Sequence, residues 1–410
     1  MYKSIVPLFF SALGLLAFTG CGSPDKIDQR SSHGHNDHTD HADVHREHSD
    51  HAHDDHGHGD GDGHGHGDHG YGDIAGLAFD AATLLYEGEE HFANVRQLTD
   101  GGENAEAYWS FDESALSLQV TNKAEGINCD RIYYMDVEGE GMPALNQVSN
   151  GLGRTTCAYF LPGDERVVFA STHSGSDDCP PEPDRSEGYV WPLYPDFELY
   201  VADRDGSNSV QLTDNDYYDA EATVSPNGDR MVFTSTRDGD IELYTCNLDG
   251  SDVVRITHDA GYDGGAFFSP DGSKLVFRAS RFEDDPEGLK EYEELLERNL
   301  VKPTEMEVYV CDVDGSNMTK VTDLGGANWA PYFHPNGEQI IFSSNHHTGG
   351  FPFNLFMINL DGSGLKQITY DNAFDSFAMF NKEGTKLVWS SNRNNGGSRD
   401  TNVFLADWKD

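Results

Sequence analysis

Basic residues are scarce in this sequence. Of its 410 residues only 27 are Lys or Arg, against 72 Asp or Glu, which gives a formal net charge of −45. A surface with this charge repels nucleic acid and anionic lipid headgroups, whereas it attracts cations and basic partners. The composition therefore excludes nucleic-acid binding.

Long apolar segments are missing after the first 20 residues. The one such segment, IVPLFFSALGLLAF, follows Lys3 and ends just before Thr19-Gly20-Cys21. It is too short for a stable membrane-spanning helix, and a positive start, an apolar run and small residues before a cleavage point are typical of a signal peptide.

This N-terminal pattern resembles a bacterial lipoprotein signal of residues 1–20, in which Cys21 becomes the lipidated N-terminus. Gly22 in the following position favours the outer membrane. The sequence thus predicts an outer-membrane lipoprotein, facing the periplasm or the cell surface, with the lipid as its only membrane attachment. An ordinary signal peptide cleaved near Gly20 is the alternative.

Cysteines are few, and five remain after the lipidation site. Cys246 and Cys311 each follow a repeated tyrosine by two residues, so they occupy equivalent places in neighbouring repeats and are expected to be buried thiols. In an exported, oxidising setting one disulfide is expected among Cys129, Cys157 and Cys179, and the sequence leaves the pair open.

Residues 33–70 are dominated by His, Asp and Gly, with almost no apolar side chains. Such a segment cannot form a core, so we expect residues 21–90 to be a disordered tether. Closely spaced imidazoles suit divalent transition metals, here Zn or Ni, in several interchangeable sites. The alternative is a solvated spacer in which histidine is only polar filler. The predicted ligands are His33, His35, His38, His41, His45, His48, His51, His53, His56, His58, His64, His66 and His69.

A repeat organises the rest of the chain. Its clearest copy, residues 218–257, reads YDAEATVSPNGDRMVFTSTRDGDIELYTCNLDGSDVVRIT, which is four short strands joined by glycine-containing turns. Such a small sheet cannot bury both faces alone, so it has to stack on copies of itself. Each series of turns implies six copies. We therefore predict an all-β fold for residues 91–410, a six-bladed β-propeller of four-stranded antiparallel blades, in which the strand around Arg96–Thr99 completes the last blade and closes the ring.

The motifs SPNGDRMVFTSTRDGDIELYTCNLDGS, SPDGSKLVFRASR and HPNGEQIIFSSN resemble those of TolB-like β-propellers. The resemblance covers all six repeats and implies the propeller fold. It leaves the function open, because propellers of this kind serve many tasks. The family also includes pectin-fragment lyases that use a histidine-bound metal in the channel, but no motif at the predicted channel mouth of this chain contains a histidine.

Two long connections interrupt the repeat, both between a second and a third strand. The connection in blade two is rich in Pro and aromatic residues, and the one in blade four predicts a helix that Asp285 caps, with Pro286 at its first position and Pro303 at its end. These connections are expected on the face that also holds the loops into the innermost strands. We refer to it as the elaborated face, and it is the usual ligand face. The alternative is that the helix only covers blade edges.

Polar residues at the start of the innermost strands are expected around the mouth of the central channel. A ring of carboxylates suits Ca²⁺ or a basic loop of a protein partner. The alternative is that these acids bond to backbone groups at the strand ends. The predicted residues are Glu103, Glu106, Arg154, Asp219, Glu221, Asp263, Asn328 and Asp375.

Two functions follow from these patterns. The first is a monomeric, lipid-anchored binding or scaffold module of the envelope, which recognises a protein or glycan while its histidine tract binds metal. The second is a metal-dependent enzyme, a polysaccharide lyase or hydrolase with a cation in the channel. No G-x-S-x-G motif is present to supply a serine nucleophile, which favours the binding module.

Overall fold

The computed structural model describes residues 78–186 and 188–409. The predictions for the signal peptide, Cys21 and the histidine tract lie outside the described residues. Among the described residues, no helix is both long enough and apolar enough to cross a membrane.

Strands make up nearly all the regular structure of these residues. In chain order they are β1 (Phe79–Asp80), β2 (Leu85–Tyr86), β3 (Phe92–Gln97), β4 (Glu103–Trp109), β5 (Ala115–Asn122), β6 (Ile127–Asp136), β7 (Asn146–Gln147), β8 (Thr155–Phe160), β9 (Arg166–Ser171), β10 (Trp191–Pro192), β11 (Glu198–Asp203), β12 (Val210–Gln211), β13 (Asp219–Val224), β14 (Arg230–Ser235), β15 (Glu242–Asn247), β16 (Val254–Arg255), β17 (Asp263–Phe268), β18 (Lys274–Ala279), β19 (Leu300–Val301), β20 (Glu307–Asp312), β21 (Thr319–Lys320), β22 (Asn328–Phe333), β23 (Gln339–Ser344), β24 (Asn354–Asn359), β25 (Lys366–Gln367), β26 (Asp375–Phe380), β27 (Lys386–Ser391) and β28 (Asn402–Trp408). One α-helix, α1 (Pro286–Leu296), and one 3-10 turn, Lys123–Glu125, accompany them.

Six antiparallel sheets of four strands each form the body of the protein. Five of them are β4-β5-β6-β7, β8-β9-β11-β12, β13-β14-β15-β16, β17-β18-β20-β21 and β22-β23-β24-β25, and the sixth is β26-β27-β28-β3. The first strand of each sheet contacts the first strand of the next, and that of the sixth contacts that of the first. This arrangement confirms the predicted six-bladed β-propeller.

The Asp-Gly turns explain how one blade is positioned on the previous one. Gly250 has φ +80, and a Cβ added there would lie 2.9 Å from the carbonyl oxygen of Leu212 in the preceding blade. Gly315 has φ +83, and its added Cβ would lie 2.3 Å from the carbonyl oxygen of Ile256. Only glycine accepts both the left-handed backbone and this close approach without strain.

The core lies between the sheets. Because each blade is covered on both sides, its second strand is apolar without alternation, unlike a strand with one face in water. In β14, β18 and β23 the central apolar residues are 0–1% exposed. They are Met231, Val232, Phe233, Leu275, Val276, Phe277, Ile340, Ile341 and Phe342.

The predicted helix is present in the blade-four connection. The Asp285 side chain accepts a hydrogen bond of 2.9 Å from the backbone N–H of Gly288, and Pro286 is the first helical residue. The helix ends at Leu296, so the prediction that Pro303 ends it was wrong. The chain turns instead at Asn299, whose φ of +55 breaks the helix.

Residues 78–90 fold against blade six, although the sequence assigned them to the tether. Strands β1 and β2 pair as a hairpin, and the Glu89 side chain after them is fully buried beside Arg393. The folded part therefore begins before residue 91.

Cys129 and Cys179 form the disulfide, which links β6 of blade one to the long connection of blade two. Cys157, Cys246 and Cys311 are free and buried, as predicted for the last two.

Candidate functional site

Three of the predicted channel-mouth acids are buried in ion pairs within their own blades. Asp219, Asp263 and Asp375 are each 0% exposed. Their carboxylates lie 2.8 Å from Arg237, 2.7 Å from Arg281 and 3.3 Å from Arg393, respectively. The spacing is eighteen residues in each pair. The structure thus gives these acids an arginine partner instead of a place at an open mouth.

Arg393 is the centre of the largest of these groups. Its guanidinium contacts Asp375, Glu89 at 2.9 Å and Asp371 at 3.1 Å, and all four side chains are fully buried. Burial and the neighbouring Asp375 raise the pKa of Asp371 well above its ordinary value. Three carboxylates this close could hold a metal ion, but the guanidinium already occupies the place between them.

The other predicted mouth residues lie in different surroundings. Asn328 is buried and bonds to the Ser344 hydroxyl at 2.7 Å and to the Glu307 carboxylate at 3.0 Å. Arg154 bonds at 2.5 Å to Glu182, an acid of the blade-two connection that was not among the predicted mouth residues. Glu103 is exposed at the start of β4. The structure therefore does not bring the eight predicted residues together in one ring.

A second set of residues surrounds the channel. In each innermost strand it lies two residues after the position that Asp219, Asp263 and Asp375 occupy. At this position every first strand has a register irregularity and a backbone φ between +45 and +61. Such bulges re-aim a side chain and often lie next to functional sites. We call these residues the bulge ring: Glu106, Cys157, Glu221, Gly265, Ala330 and Phe377.

Glu221 in the bulge ring holds a buried polar network. Its carboxylate forms an ion pair with Arg278 and accepts hydrogen bonds from the Tyr262 hydroxyl at 3.1 Å and from the Gly265 N–H at 2.9 Å. Arg278 also donates to the Tyr262 hydroxyl at 2.5 Å. An added Cβ at Gly265 would lie 1.9 Å from Arg278 Nη1. The glycine is thus required because the guanidinium fills the space of its side chain.

Glu106 and Cys157 form the other polar part of the bulge ring. Burial, and to a smaller extent the neighbouring Glu221, raise the pKa of Glu106 to about 7, although Cys157 and Arg278 oppose the shift. Burial, Glu106 and Glu221 raise the pKa of the Cys157 thiol well above its ordinary value. A buried, protonated thiol of this kind is a poor nucleophile.

An aromatic layer lies next to the bulge ring along the same strands. The rings of Tyr108 in blade one and Phe267 in blade four are 5.4 Å apart, so they meet across the channel between opposite blades. Tyr159 contacts Tyr108 at 5.8 Å, and Tyr332 contacts Phe267 at 5.2 Å. The aromatic layer closes the channel on one side of the bulge ring.

The two long connections join over the other side of the channel. Strand β10 of the blade-two connection pairs with β19 of the blade-four connection. Val190 packs against Leu295 and Leu300 next to this pairing. The Arg278 guanidinium carbon lies 5.3 Å from the centre of the Trp191 ring, which also contacts Trp329 at 5.1 Å. We call the joined connections the strap, and neither its pairing nor Trp191 was predicted.

The elaborated face combines exposed aromatic residues with acids. Tyr189 of the strap is 49% exposed, Tyr217 before blade three 45%, and Phe351 in the blade-five loop 52%. On and beside α1, eight acidic residues are exposed and only Lys290 and Arg298 are exposed bases. The acids are Glu283, Asp284, Asp285, Glu287, Glu291, Glu293, Glu294 and Glu297. The strap thus presents a strongly acidic surface with aromatic side chains beside it.

Sequence reasoning missed Arg278 and the bulge ring as a set. Two signals were present. The pairs Asp219/Arg237, Asp263/Arg281 and Asp375/Arg393 recur at one spacing, which marks their acids as structural. The dipeptide Gly264-Gly265 lies where the other blades carry side chains, which marks a place that a neighbouring side chain enters.

Residues 194–285 match the family model described as the TolB beta propeller domain. No curated protein matches the sequence. Among solved structures, a putative TolB from Agrobacterium tumefaciens shares 17% identity over 75% of this chain and 91% of its own length, with a TM-score of 0.48. TolB from Acinetobacter baumannii shares 17% identity over 75% of this chain and 63% of its own length, with a TM-score of 0.45.

An oligogalacturonate lyase from Vibrio parahaemolyticus shares 10% identity over 81% of this chain and 97% of its own length, with a TM-score of 0.48. These structural similarities are too weak to support a statement about activity. Part of the six-bladed propeller, residues 194–285, is thus similar to the TolB beta propeller domain, in agreement with the motifs read from the sequence.

Proposed function

We propose that this protein is an exported binding module of the cell envelope, whose elaborated face binds a protein partner with a basic surface. The observation that carries the proposal is the acidic strap with exposed aromatic residues beside it. Aromatic side chains supply most of the binding energy at protein interfaces, and complementary charge speeds association and selects the partner.

The strap is built as a fixed platform rather than as a loose loop. The disulfide between Cys129 and Cys179 joins it to blade one, and the Tyr292 hydroxyl on α1 donates to Asp240 of blade three. The Trp329 indole N–H donates to the carbonyl oxygen of Pro303 at 2.8 Å. A surface held from three directions loses little conformational entropy on binding, which favours affinity.

The acidic charge of the platform favours a protein with basic residues over a glycan. Glu291 and Glu294 have side chains 58% and 63% exposed, and each has one lysine neighbour, Lys302 and Lys290. The remaining acids of α1 outnumber the available bases. Exposed ion pairs contribute little by themselves, so these charges remain available to a partner. A glycan partner is the other outcome of the test below.

The membrane anchor and the metal-binding tract belong to the same proposal. A disulfide is typical of proteins in an oxidising compartment, so the Cys129–Cys179 pair supports export. We propose that Cys21 carries the lipid and that residues 33–70 bind Zn²⁺ or Ni²⁺ on the outer membrane. Replacement of Cys21 by Ala should release the folded protein from membranes, and sedimentation with membranes after a high-salt wash would contradict the anchor.

The alternative of a metal-dependent enzyme finds less support in the described residues. Within residues 78–186 and 188–409, the one group of three carboxylates close enough to hold an ion surrounds Arg393. The free thiol in the channel, Cys157, is buried with a raised pKa. Glu106 has a pKa suited to proton transfer, but no nucleophile or metal ligand set accompanies it among the described residues.

Photocrosslinking tests the binding face. A photoreactive amino acid is placed at Tyr189 or Phe351 on the elaborated face, and as a control at Val253 or Leu365, each 39% exposed beside an Asp-Gly turn. The envelope extract is irradiated with each protein. We expect one shared adduct from Tyr189 and Phe351, and none from the two control positions.

Charge reversal provides the second part of this test. The double replacement Glu291→Lys and Glu294→Lys should remove the adduct, because both side chains are exposed and neither supports the fold. The matched change of Asp249 and Asp361, exposed acids of the opposite Asp-Gly turns, should leave it intact. An adduct that survives the α1 reversal, or one digested by glycosidase instead of protease, would contradict a basic protein partner.

A further inference from the structure

The junction between blades six and one lacks a contact that four other junctions share. At those four, a Cβ added to the glycine of an Asp-Gly turn would lie 2.3–2.9 Å from a backbone carbonyl oxygen of the preceding blade. These glycines are Gly206, Gly250, Gly315 and Gly362. Gly139 has the equivalent place after β6 of blade one, but an added Cβ there would meet no atom of the described residues within 4 Å. The turn of blade one therefore does not pack closely on blade six.

Arg96 of blade six bonds to this turn instead. Its guanidinium donates to the carbonyl oxygens of Val137 at 2.9 Å and Gly139 at 2.5 Å. These three residues line a cavity of about 470 Å³ between the two blades, which we call the seam cavity. Cavities that bind small molecules have volumes of about 300–1,000 Å³. The seam cavity lies on the face of the Asp-Gly turns, opposite to the strap, so it is separate from the proposed protein-binding surface.

The seam cavity has an apolar wall. Trp109, Leu405 and Ala406 line it, and each is at most 6% exposed. The residues equivalent to Trp109 in the other blades are smaller, namely Phe160, Val224, Phe268, Phe333 and Phe380. The Trp109 indole N–H donates to the carbonyl oxygen of Met379 at 3.3 Å. The ring therefore offers a ligand apolar surface and no free donor.

Acids outnumber bases around the seam cavity. Its charged residues are Glu113, Glu138, Asp407, Arg96 and Lys386. Lys386 pairs with Asp407 at 2.8 Å. Glu113 accepts from the Asn381 amide at 3.2 Å and from a backbone N–H at 2.5 Å, and both donors are neutral. Within the described part of the chain, neither Glu113 nor Glu138 forms an ion pair, so two carboxylates remain without a cation.

These surroundings select the charge and the shape of a ligand. A cation gains from the two unpaired carboxylates and from the net charge of −45, which repels anions. An ammonium group has three donors and no acceptor, which suits carboxylate oxygens. An apolar body gains from contact with the wall, because removing apolar surface from water is favourable. A ligand that has both parts uses the whole cavity.

We propose that the seam cavity binds a small organic amine, whose ammonium group lies at Glu113 and Glu138 and whose apolar body packs on Trp109. A lysine side chain of a partner protein has the same ammonium group. Its unbranched four-carbon stem covers less of the Trp109 ring than an aromatic amine does, so we assign the site to a free amine. A lysine analogue in the experiment below separates the two sources.

Fluorine NMR of the chain of residues 22–410, labelled with 5-fluorotryptophan, tests this site. The chain has five tryptophans, and Trp109→Phe identifies the resonance of Trp109. That replacement should fold, because four other blades have phenylalanine at this position. Phenethylamine is the probe, with phenethyl alcohol as the neutral control and 3-phenylpropionate as the anionic control. We expect phenethylamine to shift the Trp109 resonance with a Kd of about 1 mM, and both controls to bind at least about 10-fold more weakly.

Variants then assign the binding to the two acids. Glu113→Gln, at a half-buried side chain, should weaken phenethylamine binding about 10-fold, and Glu138→Gln, at an exposed one, about 3-fold. Glu140→Gln is the matched control, because Glu140 is exposed in the same connection and does not line the cavity. Since Glu113 also joins blade one to blade six, Glu138→Gln and a native thermal transition keep the result interpretable.

A second resonance and a second ligand restrict the result to a free amine in the seam cavity. Trp191→Phe identifies the Trp191 resonance of the strap, which phenethylamine should leave unmoved. The proposal is wrong if phenethylamine at about 10 mM shifts both resonances alike or does not shift that of Trp109, or if 3-phenylpropionate binds as tightly. It is also wrong if Glu113→Gln and Glu138→Gln bind as the unaltered protein does. Equal binding of Nα-acetyl-lysine methylamide would assign the site to a lysine of a partner and overturn the assignment to a free amine.

Discussion

Replacement of Arg393 by Met should expose how strongly the buried charges depend on one cation. Arg393 is 1% exposed and contacts Glu89, Asp371 and Asp375, which are themselves buried. Methionine has a similar length and keeps the packing beside Trp389, but it brings no charge. The variant therefore leaves three carboxylates in the interior without a counter-ion.

The cost follows from the desolvation of those carboxylates. Removing one partner of a buried ion pair destabilises a protein by about 3–5 kcal/mol. The total reserve of a domain is roughly 5–15 kcal/mol. Because three acids lose their partner, we expect Arg393→Met to lower the free energy of unfolding by about 5 kcal/mol, the upper end of the range for one broken ion pair. For a domain of this size, this loss corresponds to a fall in Tm on the order of 5–10 °C.

The loss should depend on pH in a defined direction. In the folded state burial raises the pKa of Glu89 and Asp371, and Arg393 opposes that rise. An acid with a raised folded pKa favours the folded state at low pH, and this contribution is lost as pH rises above its unfolded value of about 4. Without Arg393 the folded pKa values rise further, so the variant should lose more stability at pH 8 than at pH 5.

Thermal unfolding at these two pH values measures the effect. The control is Arg399→Met, in the same blade but exposed, which should change stability by no more than about 0.5 kcal/mol. Adding Glu89→Gln and Asp371→Asn to Arg393→Met should recover part of the loss, because amides need no cation. A Tm within about 2 °C of the unaltered protein at pH 8, or a larger loss at pH 5, would refute the reasoning.

Three further predictions test other parts of the chain. The loop between Cys129 and Cys179 spans 50 residues, so replacing both by Ser should cost about 4 kcal/mol in the chain-entropy estimate. Thiol labelling of the unfolded, unreduced chain lacking residues 1–21 should count three free thiols. Deleting residues 92–97 removes β3 from beside β28 and should cause aggregation through the unpaired edge. Deleting residues 22–77 should leave the thermal transition unchanged, and equal behaviour of the two truncations would contradict a structural role for β3. Deleting residues 33–70 should abolish multi-site Zn²⁺ or Ni²⁺ binding. In the intact chain this binding should weaken as pH falls through roughly 6.5, because protonated imidazole cannot bind a metal. An unchanged number of bound ions in the deletion would mean that the metal sites lie in the propeller.

The fold could be predicted because its signals are local and repeated. Turns such as Ser225-Pro226-Asn227-Gly228 and Asp249-Gly250 lie within a few residues of the strands they join, and each recurs through the chain. Helix α1 was predictable for the same reason, since Asp285 and Pro286 adjoin the residues they affect.

The strap could not be predicted, because its parts are distant in sequence. Trp191 pairs with Val301 in β10–β19 and lies over Arg278, and nothing local to any of the three residues specifies these contacts. The disulfide had the same difficulty. Spacing alone allowed three pairings among Cys129, Cys157 and Cys179, and only the position of the blade-two connection against β6 selects one.

The repeat itself separates the acids that stabilise the fold from those that remain candidates for binding. Asp219, Asp263 and Asp375 occupy one repeated position, and each has its arginine at one repeated distance. A residue that recurs with its partner in three blades is explained by the fold, since the pair orders the start of the innermost strand. From the sequence we predicted ligands for a cation or a basic loop at this position. The repeated acids there are explained instead by their ion pairs with arginine.

Residues that break the repeat have no such explanation. Arg278 and Gln119 replace small residues of the other blades, and Gly265 gives up a side chain so that the guanidinium can enter. The Arg278 Nε remains without a partner among the described residues, although burying it costs free energy. Six copies of one unit show what a blade needs in order to fold. Arg278 meets a need particular to its own place in the ring, because it pairs with Glu221 of blade three and donates to the Tyr262 hydroxyl before blade four.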